Sequence, residues 1–419
     1  MRLFTRNGLA VGAVAVAFAL SLAGCTSNPG TSGESTPAGN SNGLTSSSDP
    51  LTVLIGSSGD AETTAVQAAI TAWSASSGTQ ATLVPANNLD QQLAQGFAAQ
   101  KPADVFYLST GSLAGYADQG SLLAYGDMLP NKADFFPSLV QNFTYDGKLY
   151  CAPKDFSTLQ LIINQDMWTA AGLTEADYPT TWDQLASIAQ KLTSDSVTGL
   201  VVSGQYERLG AFMVEAGGNL MSPDGSKVTA NSQANIDALN YAKSLLNAGS
   251  MKFAADVSTG WGGEAFGKGL AAMTIEGNWI TGGLQSDYPD IKYTVVPLPA
   301  GSAGQGTLQF TNCWGIAADS PNQQAALDLV EYLTTQQQQM AFAQAFGVMP
   351  SIQSAADQWK AAFPELAPFM DAASYAQGVP TLKGSAAVIT DLDNQIAQLA
   401  STDPATILNS AQSELEALQ

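Results

Sequence analysis

Two short segments of this chain set an aromatic plate beside side-chain amides. One is Gly277-Asn278-Trp279, directly after the apolar run 271–275 and Glu276. The other is Gln309-Phe310-Thr311-Asn312-Cys313-Trp314, ahead of Gly315-Ile316-Ala317. Gly277 lets the backbone turn sharply, so Trp279 presents a flat apolar face next to the Asn278 amide. A sugar needs this mixture: a plate for its C–H faces and hydrogen-bonding groups for its hydroxyls. A tryptophan taken alone is more readily core filler. Two of them following strand ends, each with amides adjacent, favour binding.

Absences narrow the chemistry. The chain has no histidine, which removes Ser-His-Asp and Cys-His nucleophile systems and histidine metal sites. Cys151 and Cys313 are too few for a thiolate zinc site or an iron–sulfur cluster, and no cofactor is expected. In an exported protein two such cysteines more often pair than stay free. Residues 262–268 approach a phosphate loop, but Gly269 stands where a magnesium-binding hydroxyl belongs. Asp391, Asp393 and Asn394 begin like a calcium loop without its glycine and terminal glutamate, and read as a solvated helix face. Asp224-Gly225 after Pro223 is turn chemistry. Carboxylate-pair catalysis or no catalysis at all is what remains; with 36 acids, two could converge.

The elements that must position these residues alternate. Leu51–Ile55 and residues 104–108 read as strands, and Val66, Ala69, Ile70 and Trp73 line one face of a helix between them. Thr181 with Gln184 opens a helix carrying Leu185, Ile188 and Leu192 as a capping box. A strand at 199–202 and a helix at 209–216 follow. Ser320-Pro321 with Gln323 reads as a second capping box, ahead of the stripe Ala326, Leu329, Val330 and Leu333. This alternation predicts α/β layers with largely parallel sheets, whose ligands bind beyond the carboxyl ends of the strands.

The first 50 residues carry an address. Arg2 and Arg6 precede an uncharged run from Leu9 to Leu20, too short to span a bilayer and suited to a signal peptide. Leu22-Ala23-Gly24-Cys25 resembles the lipobox of bacterial lipoproteins, which implies cleavage after residue 24 and lipidation of Cys25. Residues 25–50 are nearly all Ser, Thr, Gly, Asn and Pro and read as a flexible linker. The expected location is the outer face of a bacterial cytoplasmic membrane. The formal charge is −21, and loss of Arg2 and Arg6 leaves −23, so nucleic acid is not an expected partner. The remaining 370 or so residues exceed what one core usually holds, and two lobes are expected.

Ordered blocks along the rest of the chain resemble extracellular solute-binding protein family 1, the maltose-binding-protein-like receptors of ABC sugar importers. They are Ala103-Asp104-Val105-Phe106-Tyr107, Gly115-Tyr116-Ala117, Gly120-Ser121-Leu122-Leu123, Gly147-Lys148-Leu149-Tyr150 with Pro153 and Asn164, and Ala170-Ala171-Gly172-Leu173 before Thr181-Trp182. Phe266-Gly267-Lys268-Gly269, Ala271-Ala272-Met273, Gly277-Asn278-Trp279 and Gly315-Ile316-Ala317 with Ser320-Pro321 complete the series. The resemblance implies a two-lobed α/β fold of the periplasmic-binding-protein type II, with the ligand cleft between lobes. It implies three crossings, near 156–158, 297–300 and 333–336. One lobe is then 51–155 with 298–334, and the other 156–297 with 335–419.

Function and contacts follow from the same resemblance. It implies a monomeric receptor, not an enzyme, that takes a carbohydrate and delivers it to the permease of an ABC importer. The rivals are a receptor for a phosphorylated or anionic solute and a surface-anchored carboxylate-pair glycosidase. Trp279 stands where the family places a sugar-stacking aromatic. Gln205, Tyr206 and Arg208 lie in a loop the family uses for second-lobe contacts, with an ion pair as the competing role for Arg208. Asp155 and Phe156 at the first crossing, Asn278, Gly277, Trp261, Asn312, Trp314, Ser58 and Asp60 complete the candidate set. Cys151 and Cys313 fall on strands of one lobe, which implies a disulfide. Leu108 stands where the maltodextrin receptor has a tryptophan, and 381–389 supplies no C-terminal stacking tryptophan, which argues against maltodextrin itself.

Overall fold

The computed structural model describes residues 43–222 and 225–419. The expected signal peptide, Cys25, the linker as far as residue 42 and the Pro223-Asp224 part of the expected turn lie outside the described residues. Among the described residues no helix is long and apolar enough to cross a membrane.

Thirteen strands are described: β1 (Leu51–Ile55), β2 (Ala81–Pro85), β3 (Val105–Ser109), β4 (Thr144–Tyr145), β5 (Lys148–Leu149), β6 (Ala152–Thr158), β7 (Gln160–Asn164), β8 (Thr198–Val202), β9 (Met251–Phe253), β10 (Ala271–Glu276), β11 (Tyr293–Val296), β12 (Thr307–Ile316) and β13 (Ala376–Gln377). They form two main sheets. The first runs β13-β12-β3-β1-β2, with β6 also paired to β12, and the second runs β11-β7-β10-β8-β9. Both are mixed. β1 is parallel to β2 and β3, but β12 runs antiparallel to β3 and β6. In the second sheet β8, β9 and β10 are parallel, while β7 opposes β10 and β11.

This is a two-lobed α/β fold, one sheet per lobe. The chain leaves the first sheet at Leu159, the single residue between β6 and β7. It returns between β11 and β12, and the Thr307 hydroxyl binds both the N–H (3.2 Å) and the C=O (2.8 Å) of Leu159. Two crossings therefore lie side by side. The third differs from the expected 333–336. The helix Gln336–Phe346 stays packed on the helix Asp60–Ser77, with Met340, Phe342 and Ala343 buried in the core that also holds Ile70 and Trp73. The helices Ser385–Ile396 and Pro404–Glu416 are the ones that bury Leu392, Ile396, Ile407 and Leu408 in the second sheet's core.

Helix stripes account for the layers. Val66, Ala69, Ile70 and Trp73 are buried on the 60–77 helix, and Leu185, Ala189 and Leu192 on Trp182–Leu192. The Thr181 hydroxyl caps the latter by accepting the Gln184 N–H at 3.3 Å. The second capping box is built differently from the one expected at Ser320. That hydroxyl donates to Asp104 (2.6 Å), and the helix Gln323–Leu333 begins three residues later. Thr45 supplies the box instead. Its hydroxyl accepts the Gln323 N–H (3.2 Å) while the Gln323 side chain accepts the Thr45 N–H (3.1 Å). The end of the expected linker is thus docked, with Leu44 buried beside it.

Cys151 and Cys313 are bonded, with their Cα atoms 5.5 Å apart, and both are fully buried in the first lobe. A link closing so long a loop stabilises by roughly 2–4 kcal/mol.

Glu215, at the end of the helix Tyr206–Glu215, has no exposure. The Trp182 indole donates to one carboxylate oxygen, and the other has no partner among the described residues. Burial raises its pKa well above the ordinary value, with the indole only partly opposing. A raised carboxyl contributes stability that is fully present below the unfolded value and is lost as pH rises through the folded one. Glu215→Gln keeps an acceptor for Trp182 and removes that loss. Denaturant unfolding should show no gain over wild type near pH 4 and a gain that grows toward pH 7.5; an equal gain at both pH values would contradict a protonated Glu215.

Candidate functional site

The carboxyl ends of the parallel strands carry the polar groups, one cluster per lobe. In the first lobe Glu62 sits in the first turn of the 60–77 helix, on the same stripe as Val66, and is buried. Its Oε2 accepts the Ser58 N–H (2.7 Å) and hydroxyl (2.8 Å), and its Oε1 accepts the Tyr107 hydroxyl (2.9 Å). Lys154 of β6 completes the cluster. Its ammonium lies 3.0 Å from Glu62 Oε1, pairs with Asp155, and stands 4.4 Å over the Tyr107 ring and 5.7 Å from the Phe346 ring. Burial works to raise the Glu62 carboxyl, but Lys154 and the Ser58 donors outweigh it and hold it below the ordinary value. Burial likewise opposes the Lys154 charge, and Asp155, Tyr107 and Glu62 outweigh it. The Asp155 carboxyl stays raised by burial in spite of Lys154.

In the second lobe the last residue of β10 does the organising. Glu276 has no exposure, and its Oε2 accepts Arg208 Nε (3.1 Å), Arg208 Nη2 (2.7 Å) and the Trp279 indole N–H (3.0 Å). Burial raises this carboxyl although Arg208 and Trp279 oppose it. Arg208 lies 5.3 Å from the Trp279 ring centre. Trp279 is 39% exposed, and with Leu418 it is one of two large exposed hydrophobics among the described residues. Its ring meets Phe310 of β12 edge-on at 5.5 Å, so groups from both sheets converge here. A Cβ on Gly277 would fall 2.2 Å from that ring, so only glycine fits beneath it.

Charge continues along the start of the 206–215 helix. Asp393 accepts the Tyr206 N–H at 2.8 Å, and burial together with Glu207 pushes its carboxyl up to about 7 against the pull of that N–H and Arg208. The 391–394 stretch is therefore solvated only in part: Asp391 is exposed, Asp393 half-buried.

Other candidates divide by burial. Gln205 is exposed at the position before the 206–215 helix and its side chain makes no capping bond, Asp60 is exposed in the first turn of its helix, and Trp261 is half-buried. Asn312 is exposed between Ser109 of β3 and Asp155 of β6, at the carboxyl edge of the first sheet. Four expectations are corrected. Trp314 lies within β12 rather than after a strand end, is 1% exposed and packs on Tyr107 at 4.7 Å. Phe156 is buried against Phe136 at 5.1 Å. Tyr206 is buried, its hydroxyl bound to Asn219 at 2.8 Å. These three aromatics build cores. Asn278 is also buried, its amide donating to the Gly347 carbonyl (2.7 Å) and its N–H to the Ser157 hydroxyl (2.9 Å), so it braces the turn rather than orienting a ligand.

Sequence reading missed Glu62, Lys154, Tyr107, Glu276, Phe310 and Phe346. A glutamate on the apolar stripe of the 60–77 helix was the available signal for Glu62. Two surface hollows of about 430 and 560 Å³, lined by residues such as Asn131 and Tyr332 and by Phe136 and Lys360, include none of the candidate residues. No group of three acidic or sulfur ligands able to hold a metal occurs among the described residues.

Comparison with known proteins agrees with this geometry. A family model described as bacterial extracellular solute-binding protein matches residues 68–368. The diacetylchitobiose binding protein DasA of Streptomyces coelicolor is 26% identical over 281 residues, 63% of this chain and 64% of that protein, just short of two thirds of its length. The cyclic alpha-maltosyl-1,6-maltose binding protein of Arthrobacter globiformis superposes with a TM-score of 0.78 at 21% identity, covering 88% of this chain and 99% of that one. The GacH receptor of Streptomyces glaucescens, solved unliganded and with acarbose, gives 0.75 at 23% identity, covering 88% and 98%. A match over most of the chain, a fold with one sheet per lobe and polar clusters on facing strand ends lead to one conclusion: the chain belongs to the bacterial extracellular solute-binding proteins.

Proposed function

We propose that this chain captures a sugar, probed best with oligosaccharides, between its lobes and delivers it to the permease of an ABC importer. The observation that carries the reading is the exposed Trp279 plate, held by Glu276 and flanked by Arg208 and Phe310 where the two lobes meet. Aromatic faces with charged and amide groups around them suit C–H surfaces and hydroxyls. The ligands named for DasA and for the Arthrobacter and Streptomyces glaucescens proteins support a saccharide. Two crossings side by side at Leu159 and Thr307 suit a hinge that closes on cargo, and differential binding of the closed state is what a permease requires. The receptor acts by reversible binding, as a monomer tethered outside the membrane through lipidated Cys25.

A thermal-shift screen over mono- and oligosaccharides tests this. A saccharide at about one hundred times its Kd stabilises by about 2.7 kcal/mol, which raises Tm by several degrees. A panel in which no saccharide shifts Tm while a phosphorylated solute does would overturn the sugar reading.

A further inference from the structure

We propose that Glu276 is a specificity-determining residue: by occupying Arg208 it closes the site to anionic solutes. Arg208 is the one arginine of the chain beyond Arg2 and Arg6, and its planar fork is the group best suited to a phosphate or carboxylate. Two of its nitrogens are instead spent on Glu276 Oε2, and the other oxygen of that buried carboxylate has no partner among the described residues. An incoming anion therefore meets a guanidinium already neutralised and a fixed negative charge behind it.

The same device recurs around the site. The N-terminus of the 206–215 helix, where N–H groups favour an anion, is taken by Asp393. Glu207 stands beside it, with a buried oxygen lacking a partner among the described residues. In the first lobe Lys154 is held between Glu62 and Asp155, and the Ser58 N–H is bound by Glu62. Two cations thus face five carboxyl groups: Glu62, Asp155, Glu207, Glu276 and Asp393. A neutral polyol has no charge to oppose and finds carboxylate acceptors and the Trp279 face. The inference rests on the reading of this cleft as the sugar site and extends it to why sugars without charged groups are selected.

The test is a gain of binding. Wild type, Glu276→Gln and the double variant Glu276→Gln/Arg208→Gln are titrated by calorimetry with D-glucose 6-phosphate and with inorganic phosphate at low ionic strength. Glutamine keeps an acceptor for the Trp279 indole and releases the guanidinium. Glu276→Gln should bind these anions about tenfold or more tightly than wild type, the worth of one charge-assisted hydrogen bond. Added salt should erode the gain, and the double variant should lose it. Asp393→Asn, which still accepts the Tyr206 N–H, should give a smaller gain of the same sign and serves if Glu276→Gln does not fold. Wild type binding the anions as tightly as the variants, a folded variant with no gain, or a double variant that keeps the gain each overturns the proposal. The saccharide screen reports separately. Phosphate gained on Glu276→Gln by a protein that binds no saccharide keeps the charge device and removes the sugar reading, and saccharide binding without that gain does the reverse.

Discussion

Trp279→Ala should lose about thirtyfold in affinity for whichever saccharide shifts Tm most, while the fold survives. The ring is 39% exposed and packs edge-on against Phe310, so truncation opens no sealed cavity. A buried tryptophan would instead cost about 3–5 kcal/mol of stability. What the ring offers is area that loses water only when ligand arrives. An aromatic anchor of this kind is worth roughly 2 kcal/mol or more in binding, and 1.4 kcal/mol is about tenfold. Glu276 and Gly277 hold the plate in place, one through the indole N–H and the other by leaving room beneath the ring. Calorimetric titration of the folded variant decides the matter. Trp279→Phe should fall between, since it keeps a smaller plate and loses the bond to Glu276. Unchanged affinity in both variants would remove Trp279 from the site.

The exposure of Trp279 was readable from sequence because its turn is local: a strand ends, a glycine follows, and the indole emerges. Trp314 also has an asparagine shortly before it, Asn312, and the opposite fate. Its side chain's direction is set by β12, a ten-residue strand paired on both sides, whose register shifts between Asn312 and Cys313. One shift of that kind decides which residues face the core, and nothing in the local pattern reports it. Tyr206 and Phe156 fail for a related reason, because an aromatic near a strand end looks alike whether it faces the cleft or the core. The strand and helix alternation was legible, resting on apolar periodicity. Long-range polar partners were not. Thr45 caps a helix 278 residues away, and Glu62 meets Lys154 across 92 residues. Complementary charges along a chain do not announce which of them will meet.

Lys154→Met should destabilise the protein by about 3–5 kcal/mol at neutral pH, the cost of removing one partner from a buried ion pair. The side chains of Lys154, Glu62 and Asp155 are 8%, 4% and 14% exposed, so water cannot replace the ammonium. The pH dependence identifies the cause. In wild type the Glu62 carboxyl is held below its ordinary value, and its contribution is present above that value and lost as pH falls through the lowered one. Without Lys154, burial acts on Asp155 with no ammonium to oppose it and on Glu62 against the Ser58 donors alone, so both carboxyls rise. Raised carboxyls stabilise most when protonated, so the variant loses stability as pH rises from the acid side through their folded values. In wild type the raised Asp155 offsets part of the Glu62 slope, whereas in the variant both carboxyls favour low pH, so the gap between wild type and variant should widen toward pH 7 and narrow toward pH 4. Denaturant unfolding across that range measures it. A gap of constant size would mean that Lys154 contributes through the packing of its methylenes against Tyr107 and Phe346, with its charge contributing little to the fold.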